Sequence, residues 1–192
     1  MRNVALMGRA GVGKDSVAKA LAARFDHARV AFADAVRDMA LAVDPIITGY
    51  VDVGGVSFWR LSELVDIHGW DGAKRGFPEV RRFLQRLGSE GVRDTIHPDT
   101  WVTLAHRKVQ AAWDDGRFVA VTDVRFPNEL AWARRHGFLC VWVDRPTALD
   151  GSHASERAVG PSDADVVLYN GGSLEDLAER AALAVIGNAG VR

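Results

Sequence analysis

The segment Gly8-Arg9-Ala10-Gly11-Val12-Gly13-Lys14 constrains this chain more than any other. It has the form G-x-x-x-x-G-K, follows a short apolar run at 3–7 and opens a helically spaced run at 16–25. Glycines in a strand-to-helix turn let successive backbone N–H groups converge on phosphate oxygens, and the helix N-terminus adds partial positive charge. Lys14 is then the side chain that reaches the β- and γ-phosphates. The next position usually carries Ser or Thr to bind Mg²⁺; here it is Asp15, with Ser16 one place later. The bland alternative, a glycine turn beside an incidental lysine, leaves the flanking strand and helix unexplained. A nucleoside triphosphate with Mg²⁺ is the expected ligand.

The rest of the chain fits an α/β fold around that loop. Short apolar strand runs at 29–32, 118–122, 138–143 and 166–169 alternate with helical spacing at 33–43, 79–88, 100–113, 128–136 and 173–186. The last helix opens on Ser173, with Asp176 in capping-box position. Apolar strands alternating with helices imply right-handed crossovers and a parallel sheet covered on both faces. Two stretches are irregular. The glycine-rich stretch 44–78 reads as loops around one short helix at 61–68, and 145–162 is polar without periodicity. Long loops of this kind are usually lids or binding segments. The 192 residues suit a single domain over 1–192 with such inserts.

Charge narrows the partners. The 24 basic and 25 acidic residues balance, which argues against a polybasic nucleic-acid binder or an acidic tail. The basic residues are mostly arginine, the better side chain for gripping phosphate. The lone Cys140 allows no internal disulfide and points to a reducing compartment. No apolar run reaches the ~18 residues of a membrane span, and the first residues lack a signal pattern. A cytoplasmic protein with neither membrane nor nucleic-acid partner is expected.

The strand run at 118–122 ends in Asp123, followed by Val124-Arg125-Phe126-Pro127-Asn128-Glu129. Ligands of open parallel sheets bind beyond the carboxyl ends of the strands, so Asp123 is expected beside the Gly8 loop as a second metal-supporting carboxylate. A turn or capping role is its bland alternative, and a surface ion pair is that of Arg125. The guanine-reading segment N-K-x-D is absent, since none of Asn3, Asn128, Asn170 and Asn188 begins one. A compact chain with one insert after the second strand and an arginine-bearing one after the fourth suggests a small kinase. The first insert would hold the acceptor, and the second would close over the transferred group.

At this point the sequence resembles the deoxynucleoside monophosphate kinases of tailed phages, within the phosphate-loop nucleotide kinase superfamily. The resemblance rests on Gly13-Lys14-Asp15-Ser16, Phe32-Ala33-Asp34 with Arg37, Gly69-Trp70-Asp71 with Lys74, and Leu84-Gln85 through Leu87-Gly88 to Arg93 and Trp101. Its most specific pieces are 123–129 and His153-Ala154-Ser155-Glu156, where relatives often carry Pro in place of Ala154. It implies a three-layer α/β kinase fold with a five-stranded parallel sheet in the order 2-3-1-4-5 and helices on both faces. It also implies an acceptor insert at about 33–100 and a lid at about 145–162. The implied reaction moves the ATP γ-phosphoryl group to a deoxynucleoside monophosphate, giving dNDP and ADP in the supply of phage DNA precursors. A cytoplasmic location in the host follows, and a homodimer is compatible with it. A kinase of another small phosphorylated metabolite and a non-catalytic regulatory nucleotide-binding module remain open.

The chemistry suits these residues, because a nucleoside monophosphate is already largely dianionic near neutral pH and needs no strong base. Alignment and charge neutralisation are the demands. ATP phosphates fall to Gly11, Val12, Gly13, Lys14, Asp15 and Ser16; Mg²⁺ falls to Asp15, Ser16 and Asp123. Arg37, Lys74, Arg82 and Arg93 are candidates for the acceptor phosphate, with Trp70 and Gln85 for base or sugar and Asp34 beside them. Arg125 is placed to bridge donor and acceptor phosphates. In the lid, Arg145 and Arg157 stabilise the transferring group or lie against adenine, while His153 and Glu156 order the segment. For each arginine the plain alternative is a helix-surface charge, and for Trp70 it is the core.

Overall fold

The computed structural model describes residues 1–146 and 158–187. Chain order runs β1 (Val4–Met7), α1 (Lys14–Phe25), β2 (Ala28–Val30), α2 (Phe32–Val43), β3 (Ile46–Asp52), β4 (Gly55–Arg60), α3 (Leu61–Gly76) and α4 (Pro78–Arg86). It continues through a π-helical turn at Leu87–Arg93, α5 (Thr100–Asp114), β5 (Val119–Val121), α6 (Pro127–Arg135), β6 (Leu139–Asp144), a 3₁₀ turn at Pro161–Asp163, β7 (Val166–Tyr169) and α7 (Leu174–Ile186). The chain divides into two compact units, 1–32 with 102–192 and 33–101. No helix among the described residues is long and apolar enough to cross a membrane.

The first unit is a five-stranded parallel sheet in the order β2-β5-β1-β6-β7. Counting only its own strands, this is the expected 2-3-1-4-5 order. All four residues of β1 and the first five of β6 are buried, as strands covered on both faces require. On one face Val4, Leu6, Val141 and Leu168 pack with Val17 and Leu21 of α1 and Leu177, Ala181 and Val185 of α7. The other face is aromatic: Trp132 of α6 meets Phe138 at 5.2 Å and Phe32 at 5.8 Å between ring centroids, and Trp113 of α5 meets Phe138 at 6.1 Å. Ser173 caps α7 as expected, its hydroxyl accepting from the Asp176 N–H at 3.1 Å while its own N–H donates to the Asp176 carboxylate at 2.9 Å.

The second unit corrects the reading of 44–78. That stretch holds an antiparallel hairpin, β3 with β4, and a helix that runs on to Gly76 instead of stopping near His68. The hairpin turns tightly between Asp52 and Gly55, and Tyr50 stacks on Trp59 with 5.4 Å between centroids. Gly69 interrupts α3 at φ 63°, ψ 168°, so the helical spacing breaks there and resumes through Trp70 and Ala73. Asp44 caps α3 from a distance, accepting from the Ser62 N–H at 2.9 Å and its hydroxyl at 3.1 Å. Ala40, Leu61, Leu64, Ala73 and Val80 form the core of this unit. Within it, Trp101 Nε1 donates to the Gly88 carbonyl at 2.7 Å, tying the π-turn to the start of α5.

Candidate active site

Between β1 and α1 the chain makes a ring of backbone. Gly8, Gly11 and Gly13 have φ of 135°, 74° and 106°, a region costly for other residues. Gly13 has a second reason to be glycine: a Cβ there would lie 2.6 Å from Asn170 Nδ2 and 3.3 Å from Leu177 Cδ2. Lys14 is buried, and its ammonium donates to the carbonyls of Gly8 and Arg9, both at 2.7 Å. The side chain therefore folds back over its own loop, placing a positive charge inside the ring. Asp15 is exposed in the first turn of α1, with one carboxylate oxygen 3.5 Å from Arg29 Nε. Ser16 follows it, half-buried.

Asp123 leaves the end of β5, the direct neighbour of β1. One of its oxygens accepts from the Phe32 N–H at 2.8 Å, capping α2 across the sheet end. The capping role weighed against metal support is thus present at one oxygen. Arg125, two residues on, is exposed. Its backbone is fixed by Glu129, which is buried at 2% exposure and accepts from the Arg125 and Phe126 N–H groups at 2.8 and 3.0 Å. Glu129 stood in the quoted motif without a role. Its place three residues after Phe126, at the start of α6 behind Pro127, is the sequence signal for it. Arg145 is exposed directly after β6. Arg157, His153 and Glu156, with most of the expected lid, lie outside the described residues.

The other candidates belong to the second unit, where four of them gather. Arg37 lies 3.5 Å from the Asp34 carboxylate, and its guanidinium sits over the Trp70 ring at 5.7 Å from the centroid. One turn beyond Trp70, Lys74 pairs with Asp71 at 2.8 Å. A hydrogen bond and the charge of Lys74, with lesser contributions from Arg37 and Arg75, hold the Asp71 carboxyl below its ordinary range. Trp70 is half-buried and packed against the core of this unit, so it is neither a plain core residue nor a free surface one. Arg82 takes a different position, pairing with Glu79 at 2.9 Å on the rim of an open hollow lined by Ile46, Ile47 and Phe83. Gln85 is exposed on α4, and Arg93 is half-buried at the end of the π-turn.

The donor set near Lys14 suits a cation that arrives with phosphate. Mg²⁺ keeps several waters and is commonly bound through one or two carboxylates plus substrate oxygens. Asp15, Ser16 and Asp123 can supply that share, and among the described residues no group of three or more His, Cys, Asp or Glu is disposed to hold a metal alone.

Comparisons with known proteins point to a kinase family. A family model described as deoxynucleotide monophosphate kinase matches residues 74–181, which include Arg93, Trp101 and 123–129. The chain is 31% identical over 100 residues to the deoxynucleotide monophosphate kinase of Enterobacteria phage T4, covering 51% of this chain and 42% of that one. It is 34% identical over 67 residues to the deoxynucleoside-5'-monophosphate kinase of Escherichia phage T5, covering 35% and 26% respectively. The matched stretches thus span less than half of either phage enzyme. In fold, the chain is similar to the dephospho-CoA kinase of Campylobacter jejuni, with a TM-score of 0.50 at 11% identity over 96% of both chains. The phosphate loop lies ahead of the family match and stands on its own geometry. With more than half its length matched, this chain belongs to the deoxynucleotide monophosphate kinase family.

Proposed function

We propose that the chain transfers the γ-phosphoryl group of ATP to a deoxynucleoside monophosphate, giving dNDP and ADP. The observation that carries this is the buried Lys14, coiled onto the Gly8 and Arg9 carbonyls inside a ring of positive-φ glycines. Such a ring presents N–H groups and one fixed cation to a polyphosphate. When phosphate enters, Lys14 exchanges two neutral carbonyl acceptors for anionic phosphate oxygens, a stronger set of bonds because both partners are then charged. Asp15, Ser16 and Asp123 would hold Mg²⁺, which when bound neutralises charge on the phosphoryl oxygens. Arg125, with its backbone pinned by Glu129, and Arg145 complete the positive charge around the transferring group.

The acceptor falls to the second unit in this reading. Arg37 and Lys74 take the monophosphate, Trp70 gives a flat apolar face for base or sugar, and Asp34 orients Arg37. Arg82, Gln85 and Arg93 extend the acceptor region, and residues 145–162 serve as the lid, with Arg157 reaching the ATP. The residues of 33–100 thus act as the acceptor part of a single kinase. In this reading the reaction supplies DNA precursors in a host cytoplasm, which the phage origin of two similar kinases supports. The test is ADP production from ATP and Mg²⁺ across dNMPs, NMPs and unrelated phosphorylated metabolites, with a no-acceptor control. Turnover with dNMPs, and dNDP seen by chromatography, is the expected result. Turnover without any acceptor, or only with a metabolite that is not a nucleotide, refutes it.

A further inference from the structure

Asn170 stands at the end of β7, 158 residues from the phosphate loop in sequence, yet its side chain touches that loop. The Nδ2 group donates to the Val12 carbonyl at 2.7 Å, and both residues are buried. A carbonyl oxygen only accepts, so the amide must present its NH₂ to it. Asn170 is itself anchored, because its backbone N–H donates to the Asp144 carbonyl at 2.7 Å where β6 ends. The contact leaves no room for a side chain at Gly13, whose Cβ would meet the same Nδ2 atom at 2.6 Å.

We infer that Asn170 is a positioning residue for the phosphate loop, holding the Val12–Gly13 peptide in the orientation that phosphate needs. In a planar trans peptide the C=O and the following N–H point in opposite directions. Fixing the Val12 carbonyl toward Asn170 therefore turns the Gly13 N–H away from Asn170. Without the amide, the Val12 carbonyl is a buried acceptor with no fixed partner, and a peptide flip would aim an oxygen at an anion in place of a donor. The cost is paid at the loop and felt only by ligands that carry phosphate there. The role rests on the reading of 8–16 as the ATP site.

The test compares Asn170→Ala and Asn170→Ser with the unaltered full chain. Losing one buried hydrogen bond and leaving its acceptor unsatisfied corresponds to a change on the order of tenfold. The expected result is a rise of about tenfold in the KM for ATP, an equal loss of inhibition by inorganic tripolyphosphate, and a KM for dNMP unchanged within about twofold. A merely structural role would move both KM values together or neither. Unchanged ATP affinity in a folded variant overturns the inference. So does weakened ATP with unchanged tripolyphosphate inhibition, which would place Asn170 against the adenosine part. Should the Ala variant not fold, the Ser variant decides, since its hydroxyl is too short to reach Val12 but leaves a smaller cavity. Direct ATP titration separates this inference from the kinase reading. A chain that binds ATP but phosphorylates no dNMP refutes the kinase, and its Asn170 variants still judge the clamp by ATP affinity. A chain that binds no ATP refutes both.

Discussion

The two units build their candidate sites from different materials. In the first, backbone is held by buried side chains: Lys14 on the loop carbonyls and Asn170 on Val12 at the phosphate loop, and Glu129 under Arg125 after β5. In the second, the candidates are side chains on half-exposed helix faces that pair with one another: Arg37 with Asp34 and Trp70, Lys74 with Asp71. Fixed backbone donors cost nothing to reorganise when charge develops, whereas surface pairs must exchange partners to bind. On the proposed assignment, the first unit meets the invariant part of the reaction, the polyphosphate, and the second a variable acceptor.

The largest break in this comparison is Lys14→Ala. It removes the buried ammonium held on the loop carbonyls, and kcat/KM for phosphoryl transfer should fall by roughly a thousandfold or more. Steady-state kinetics at saturating dNMP measures it, and a loss below about tenfold would remove Lys14 from the transfer step. Gly13→Ala comes next. Its φ of 106° and the 2.6 Å approach to Asn170 predict destabilisation by about 1–3 kcal/mol together with loss of ATP binding. Gly69→Ala in the second unit is the control, with φ 63° but nothing within 4 Å of the added Cβ. Urea unfolding should show a loss of about 1–3 kcal/mol there from backbone strain alone, with ATP affinity intact.

The same contrast explains what was legible in the sequence. The phosphate loop is local, so seven consecutive residues announce it. The parallel strands are legible because burial on both faces demands unbroken apolar runs, as in Val4–Met7 and 139–143. The β3–β4 hairpin escaped because Gly49, Gly54 and Gly55 read as loop, and Val51, Val56 and Phe58 are exposed, giving no clean one-face alternation. The second half of α3 escaped because Gly69 resets the helical phase. Asp123 was found as an acid at a strand end, but its bond to the Phe32 N–H spans 91 residues and no spacing rule reports it. Asn170 escaped for the same reason. In the second unit the candidate residues were named, yet only the fold separates Arg82, on its hollow with Glu79, from the Arg37, Trp70 and Lys74 group.

Smaller effects sharpen the division of labour. Arg37→Gln and Trp70→Ala should each raise the KM for dNMP by roughly tenfold while leaving the KM for ATP within about twofold. Trp70→Phe should keep most of the affinity, because an aromatic face remains under Arg37. If either variant instead raises the KM for ATP alone, the assignment of donor and acceptor to the two units is reversed. Titration offers an independent probe of the first unit. Burial, with the nearby Asp165 charge second, pushes the Cys140 thiol up to about 11 from 9.0. A folded-state value above the unfolded one stabilises the protein fully below pH ~9 and is lost as pH rises toward 11. Unfolding free energy should therefore decline over that alkaline window, and Cys140→Ala should flatten the decline. A thiol reagent should react with the native protein near neutral pH far more slowly than with the unfolded chain.

The smallest effect belongs to the second unit and has the opposite sign in pH. Asp71 is held below its usual range chiefly by Lys74, so its contribution is present above the unfolded carboxylate value and disappears as pH falls through the folded one. Its side chain is 85% exposed, so water and salt screen most of that contribution. Asp71→Asn should therefore change unfolding stability by no more than about 0.5 kcal/mol at neutral pH, with the difference vanishing in acid and in molar salt. The same substitution frees Lys74 from its carboxylate partner, so the KM for dNMP should hold or fall. A rise in that KM would mean that the pair orients Lys74 and does not compete for it. A stability loss above about 1 kcal/mol would mean that the cluster is a structural brace. Either outcome would make the second unit as preorganised as the first and erase the difference between them.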